Sequence, residues 1–191
     1  MKSFAAAVFL LSSITGTIAA PSGAKVTRQN SCPSAGDITD NINGWQNDIN
    51  SVNGFLNSVA SLTSVVDISN GAVNALSSAE DEPNRLMFFA QLCSCGSSAC
   101  NSDFSAAVSA LQSQFGGVLS NLIDAANDVN TIASPNPASV VAPQINNINQ
   151  LRCCVVLPSA QTIFTNAAAS VAGVSASTSV ARENACSSIT C

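Results

Sequence analysis

Histidine and tyrosine are missing altogether from the 191 residues, and lysine occurs only at Lys2 and Lys25. Without histidine there is no Ser-His-Asp or Cys-His nucleophile and no imidazole to ligate a metal. Both lysines precede Cys32, so a Ser-Lys dyad finds no lysine in the body of the chain. Positive charge is scarce: beyond residue 20 five cations face eleven acids. No basic patch can neutralise a phosphate backbone, which excludes nucleic acid as a partner, and anionic membrane surfaces are disfavoured for the same reason. Charged residues of both signs are only 9% of the chain, so Ser, Thr, Asn and Gln must wet its surface. Beyond the N-terminus no run approaches the roughly 18 apolar residues of a transmembrane helix. There are twenty asparagines, yet none begins an Asn-x-Ser/Thr acceptor, so no N-glycan is expected.

The first residues supply the compartment. Met1 and Lys2 precede the apolar stretch FAAAVFLL (4–11), and small residues follow at Thr17, Ala19 and Ala20. This is the layout of a secretory signal peptide over residues 1–20, with cleavage after Ala20 or Ala19. Residues 21–31 have no apolar periodicity and read as a flexible or pro-peptide segment, with Arg28 offering a weak processing site. A single domain over 32–191 remains, long enough for a real core.

All eight cysteines lie in that domain: Cys32, Cys93, Cys95, Cys100, Cys153, Cys154, Cys186 and Cys191. In a secreted chain an even count points to four disulfides rather than to a metal or a redox centre. Neighbours Cys153 and Cys154 point about 100° apart on a helix, which suits bonds to two different elements. Cys95 and Cys100 are close enough in sequence to close a small loop together.

The hydrophobic period is helical throughout. Ile38, Ile42, Trp45, Ile49, Val52, Leu56, Val59, Leu62 and Val66 make one stripe at alternating three- and four-residue steps, with Asp37 as a cap. Phe104, Val108, Leu111, Phe115, Val118, Leu122, Ala125, Val129 and Ile132 make a second, capped by Ser102 or Asp103. Between them two shorter helices are expected, over 68–79 and from Pro83 to Cys93. Further helices are expected from Pro137 to the cysteine pair, from Pro158 onward, and over 178–187. The predicted fold is therefore all-α: a compact bundle of about five to six helices, stapled by up to four disulfides.

The runs SCPSAGDITDNINGWQNDINSVNGFLNSV (31–59), DEPNRLMFFAQLC (81–93), RCCVVLPSAQTIFTNAAASVAG (152–173) and the terminal ACSSITC resemble small secreted cysteine-containing proteins of filamentous fungi. More loosely, the Asn/Ala/Ser-rich helical pattern is similar to the fungal hydrophobic-surface-binding and cell-wall mannoprotein family. That second likeness implies binding of apolar surfaces or lipids, although eight cysteines depart from it. The two vicinal cysteine pairs of hydrophobins are not matched by one vicinal pair and a Cys-x-Cys.

Few residues point to chemistry. Asp124 and Asp128 share a helix face, and Glu80, Asp81 and Glu82 cluster, but a glycosidase needs two carboxylates held across a cleft. The triplet reads as charge favouring a helix start, the pair as solvated residues. Trp45 sits in the stripe and reads as core. Phe88 and Phe89 are adjacent, so one helix face cannot bury both, and they are the candidate apolar contact site. No cofactor and no metal is expected. The sequence thus suggests a non-catalytic, effector-like or cell-wall-associated extracellular protein that binds a host or surface partner. The alternatives are a carrier or coat for lipid and apolar surfaces, and a carboxylate-based hydrolase. Alkylation of the native protein without reductant should label no cysteine in a mass spectrum. Two or more labelled thiols, or stoichiometric zinc or copper, would overturn the structural-disulfide reading.

Overall fold

A computed structural model describes residues 32–191, so the expected signal peptide and pro-segment lie outside the described residues. Five helices carry the chain: α1 (Ala35–Ser58), α2 (Val65–Ser94), α3 (Ser102–Thr131), α4 (Pro137–Leu151) and α5 (Leu157–Ser170). A π-helical turn, Arg152–Val156, joins α4 to α5 without a break, which makes four rods in all. Short connections keep successive rods antiparallel, and α1 packs on α2, α2 on α3, and α3 on the α4–α5 rod. No strand occurs among the described residues.

Three of the four rods begin at a side-chain cap, Ser34, Ser64 and Asn101. Ser34 is the N-cap of α1, and Asp37 stands three residues in, returning a bond to the Ser34 backbone in a capping box. Asp37 is thus the third helical residue rather than the cap itself. Its carboxyl is held below the usual range by the Ser34 hydroxyl and backbone N–H. Asn101 caps α3, one position before the expected Ser102 or Asp103, its side chain accepting from the Phe104 N–H at 2.9 Å. α2 ends in a Schellman turn: the Ser97 N–H reaches Leu92 O, the Gly96 N–H reaches Cys93 O, and Gly96 takes φ +76°.

The first stripe is interrupted earlier than its periodicity suggests. α1 gives way to a 3-10 turn at Val59–Ser61, and Val66 belongs to the next helix, where it is exposed. Conversely, Pro83 does not open a helix. α2 runs straight through it, because Ile68, Ala72, Ala75, Ala79, Glu82, Leu86 and Phe89 form one continuous buried row. Burial along the row outweighs the missing N–H of one proline. Pro158 likewise begins nothing new. Its ring cannot accept the ordinary i−4 geometry, and the π-helical turn before it, closed by the Leu157 N–H on Arg152 O, takes up the mismatch.

The core is centred on aromatic rings. Trp45 lies 5.3 Å from Phe164, 5.8 Å from Phe89 and 6.3 Å from Phe115, centroid to centroid. Gly44, next to Trp45, admits a crossing side chain. A Cβ there would stand 2.6 Å from the Arg85 guanidinium carbon. Arg85 reaches across to Asp48 at 3.4 Å.

The last twenty residues differ most from expectation. In place of a helix over 178–187, an extended strap follows α5, and only Asn184–Ser187 makes a 3-10 turn. The strap alternates: Val174, Ala176 and Val180 pack against the core, while Ser175, Ser177 and Ser179 face outward. This is the period of an extended chain, not of a helix.

The interior proline generates a prediction. Pro83→Ala restores the N–H that α2 lacks at this position, and proline costs about 3 kcal/mol against alanine in a helix interior. Part of that cost has been absorbed by accommodation, so the variant should gain about 1–2 kcal/mol in urea unfolding. A loss of stability would mean that the ring is packed rather than tolerated.

Candidate functional site

The cysteines divide the molecule into two tied regions. Cys32–Cys95 and Cys93–Cys100 staple the chain start and the α2–α3 loop, and Cys153–Cys186 and Cys154–Cys191 staple the strap to the π-helical turn. The described residues contain no free cysteine. Cys153 and Cys154 do bond to separate partners. Cys95 and Cys100 do not pair with each other; Cys100 takes Cys93, which lies on the last turn of α2, and Cys95 turns toward the chain start. Cys153, Glu183 and Cys186 come within reach of one another, but the two sulfurs are already bonded and offer no thiolate.

The strap follows one face of α1. Thr39 accepts from the Ser175 N–H, Gln46 donates to Ser177 O and Ser179 O, and Asn53 Nδ2 donates to Ala181 O at 3.1 Å. These α1 residues recur every seven positions, the repeat that keeps one helix face in register. Asn57 adds an acceptor for the Asn184 N–H, and Gln161 of α5 both donates to Thr178 O and accepts from the Val180 N–H.

Where the strap ends its run, a charged node is closed inside the bundle. Arg152, first residue of the π-helical turn, is fully buried. Its Nη1 donates to Glu82 Oε1 at 3.2 Å, and its Nη2 to Asn53 Oδ1 at 3.0 Å and to Ile49 O at 3.4 Å. Trp45 Nε1 donates to Glu82 Oε2 at 3.3 Å. Glu183 comes in from the strap, its Oε2 3.8 Å from Arg152 Nε, and both atoms lack a hydrogen-bond partner. α1, α2, the π-helical turn and the strap therefore meet at one guanidinium.

Burial pushes the Glu82 carboxyl up against the pull of Arg152 and the Trp45 hydrogen bond. Burial likewise raises Glu183, again opposed by Arg152. Two raised carboxyls beside one cation are the ingredients of acid–base chemistry. Here both side chains are closed to solvent and engaged with Arg152.

The other candidates are separate. Glu82 is not solvated charge at a helix start, as the acidic triplet suggests, but a core residue in the middle of α2. Asp81 stays exposed and reaches Arg85 at 3.9 Å. Asp124 is exposed, and Asp128 accepts from Gln144 Nε2. Trp45 is core. Phe89 is fully buried and Phe88 half-buried against it edge-to-face, 5.2 Å between centroids. The exposed apolar residue of that segment is Met87. Apolar depressions lie elsewhere. One, between α1 and α2, includes Phe55 and Leu62. Another of about 200 Å³ lies between the end of α1 and α4, with Leu56, Val59, Ile145 and Asn149 among its walls.

The node was missed in the sequence, although a signal was present. Glu82 falls on the α2 row once its alanines are counted, and Arg152 continues Val141, Ile145, Ile148 at the same steps. A charge at a stripe position of a chain this poor in charge marks a buried pair.

The node fixes a pH dependence. A carboxyl raised in the folded state contributes stability that is complete below its unfolded value, about 4.3 for glutamate, and lost as pH rises through the folded value. Glu82 and Glu183 share this sign, and so does Asp48, raised chiefly by burial. The lowered Asp37 has the opposite sign but is exposed. Urea midpoints should therefore rise on going from about pH 7 to about pH 5, and Glu183→Gln should flatten the profile. A midpoint that falls steadily over this range would contradict the arrangement.

No protein-family model matches this chain, and neither a curated protein nor a solved structure shows significant similarity to it.

Proposed function

We propose that the protein is a non-catalytic extracellular binding protein that presents a rigid surface to a host or cell-surface partner. Four disulfides and the lack, among the described residues, of a helix able to cross a membrane fit an extracellular setting. The observation that carries the reading is how the bundle's interior is occupied. A carrier would hold its ligand between the helices, and there Trp45, Phe89, Phe115 and Phe164 stand ring against ring. The buried titratable side chains around them are engaged with one another, so they support neither a tail-binding lining nor a catalytic pair. What such a body offers a partner is its outside: a surface wetted by amides and hydroxyls, acidic in balance, with scattered apolar residues such as Val66, Val73, Met87 and Ile123.

An effector-like or cell-wall-associated role is the form of binding this reading favours, ahead of lipid carriage. Native mass spectrometry and organic extraction of protein secreted by its own cell should find the bare polypeptide mass and no stoichiometric lipid. One fatty acid or sterol per chain would replace this proposal by the carrier.

A further inference from the structure

We propose that the groove between the end of α1 and α4 is the docking site for a protein partner. It takes one branched aliphatic side chain together with the peptide group beside it. The inference rests on the binding role proposed above and names its site. Leu56 and Val59 form one wall and Ala142 and Ile145 the other, with Asn146 at the mouth. The volume, about 200 Å³, lies below the roughly 300–1,000 Å³ of pockets that enclose whole small ligands. Neither a charged nor an aromatic side chain lines it, so the apolar part of the occupant is aliphatic.

The second observation is Asn149. It is only 8% exposed, it lines the same groove, and its Oδ1 has no hydrogen-bond partner among the described residues. Buried polar atoms are almost always paired, and an unpaired one is costly to keep. Leucine would suit the position by size and would remove the cost. A carboxamide offers one acceptor and two donors, the complement of a peptide group, and Asn146 three residues earlier offers another on the same helix face. Charge points the same way. Of the three described cations Arg152 is buried, against eleven acids, so the complementary partner segment is neutral to basic around its aliphatic residue.

The test uses the full disulfide-bonded chain in a two-dimensional amide NMR titration. The probe is N-acetyl-leucine N-methylamide, compared with N-acetyl-aspartate N-methylamide and with 1-hexanol, which has the chain but no peptide group. Saturable shifts confined to residues 56–60 and 138–149 are expected with the leucine probe, weaker by about fivefold or more with the others, the equivalent of one net hydrogen bond. Asn149→Leu should keep or raise the melting temperature and weaken the leucine probe by a similar factor. Ala142→Phe, at an exposed helical position, should fill the groove and abolish the shifts, and it serves should the Asn149 variant not fold. Absence of localised shifts, equal binding of hexanol, or unchanged binding by Asn149→Leu each overturns the site. Undiminished capture of a partner by Ala142→Phe overturns the site as well, yet leaves the binding role standing.

Discussion

Taking a guanidinium out of water costs several kcal/mol unless it is paired and hydrogen-bonded, and this chain buries one in its bundle, with Nη1 and Nη2 hydrogen-bonded and Nε facing the Glu183 carboxylate at 3.8 Å. Arg152 is held by a carboxylate from α2, an amide and a main-chain carbonyl from α1, and a second carboxylate from the strap. None of these four elements can shift by a helical turn without stranding a charge in a core otherwise filled by rings and methyl groups. An apolar stripe alone tolerates sliding, because one leucine fits nearly as well as the next. The buried charge does not, so it sets the register in which α1, α2 and the α4–α5 rod meet. The π-helical turn is part of the same solution. Its extra residue accommodates Pro158, and it places Arg152 inward with Cys153 and Cys154 directed to two different points of the strap.

The strap needs that help. An extended chain of Ser, Thr, Ala and Val buries little apolar surface, and its hydrogen bonds run mostly to side-chain amides of α1 and α5. Alone such contacts barely offset the entropy of ordering the segment. Two disulfides beyond Glu183 close loops of 33 and 37 residues and remove much of that entropy from the unfolded chain. The cross-links thus sit at the edge of the hydrophobic core: at the strap, and at the stapled region around Cys93, Cys95 and Cys100. The bundle between them is held by packing.

This division explains what could be read from the sequence. The two long stripes gave the helical class directly, since a 3.6-residue period written in Ile, Val, Leu and Phe is a local property. Trp45 was legible as core for the same reason. The number of helices was over-counted because Pro83 and Pro158 are local stop signs, whereas the rows of burial that run past them are tertiary. The strap was misread for a related cause: Gln46 and Asn53 look like solvated helix residues until the chain 130 residues later is laid against them. Phe88 and Phe89 showed correctly that one face could not hold both, but not that Phe89 would reach the Trp45 cluster. No disulfide partner was legible in the sequence; helix geometry showed only that Cys153 and Cys154 bond to two different elements.

A core specified this tightly leaves the molecule few means of responding to a partner by rearrangement. The registers are fixed by Arg152, both stapled regions are covalently tied, and the helices present short, mostly uncharged side chains. On the binding role proposed above, recognition by such a body would work through preformed features, with little ordering entropy to lose. The low surface charge has a consequence of its own. With few charged side chains in all, selectivity in that role would lean on short-range fit and on amide hydrogen bonds, for which the chain has twenty asparagines. Several of those amides are satisfied within the fold, by helix carbonyls one turn back or by the strap. Asn149 Oδ1 is one of four buried side-chain polar atoms left without a partner among the described residues, with Gln144 Oε1, Arg152 Nε and Glu183 Oε2, and it is the one that lines the groove between α1 and α4.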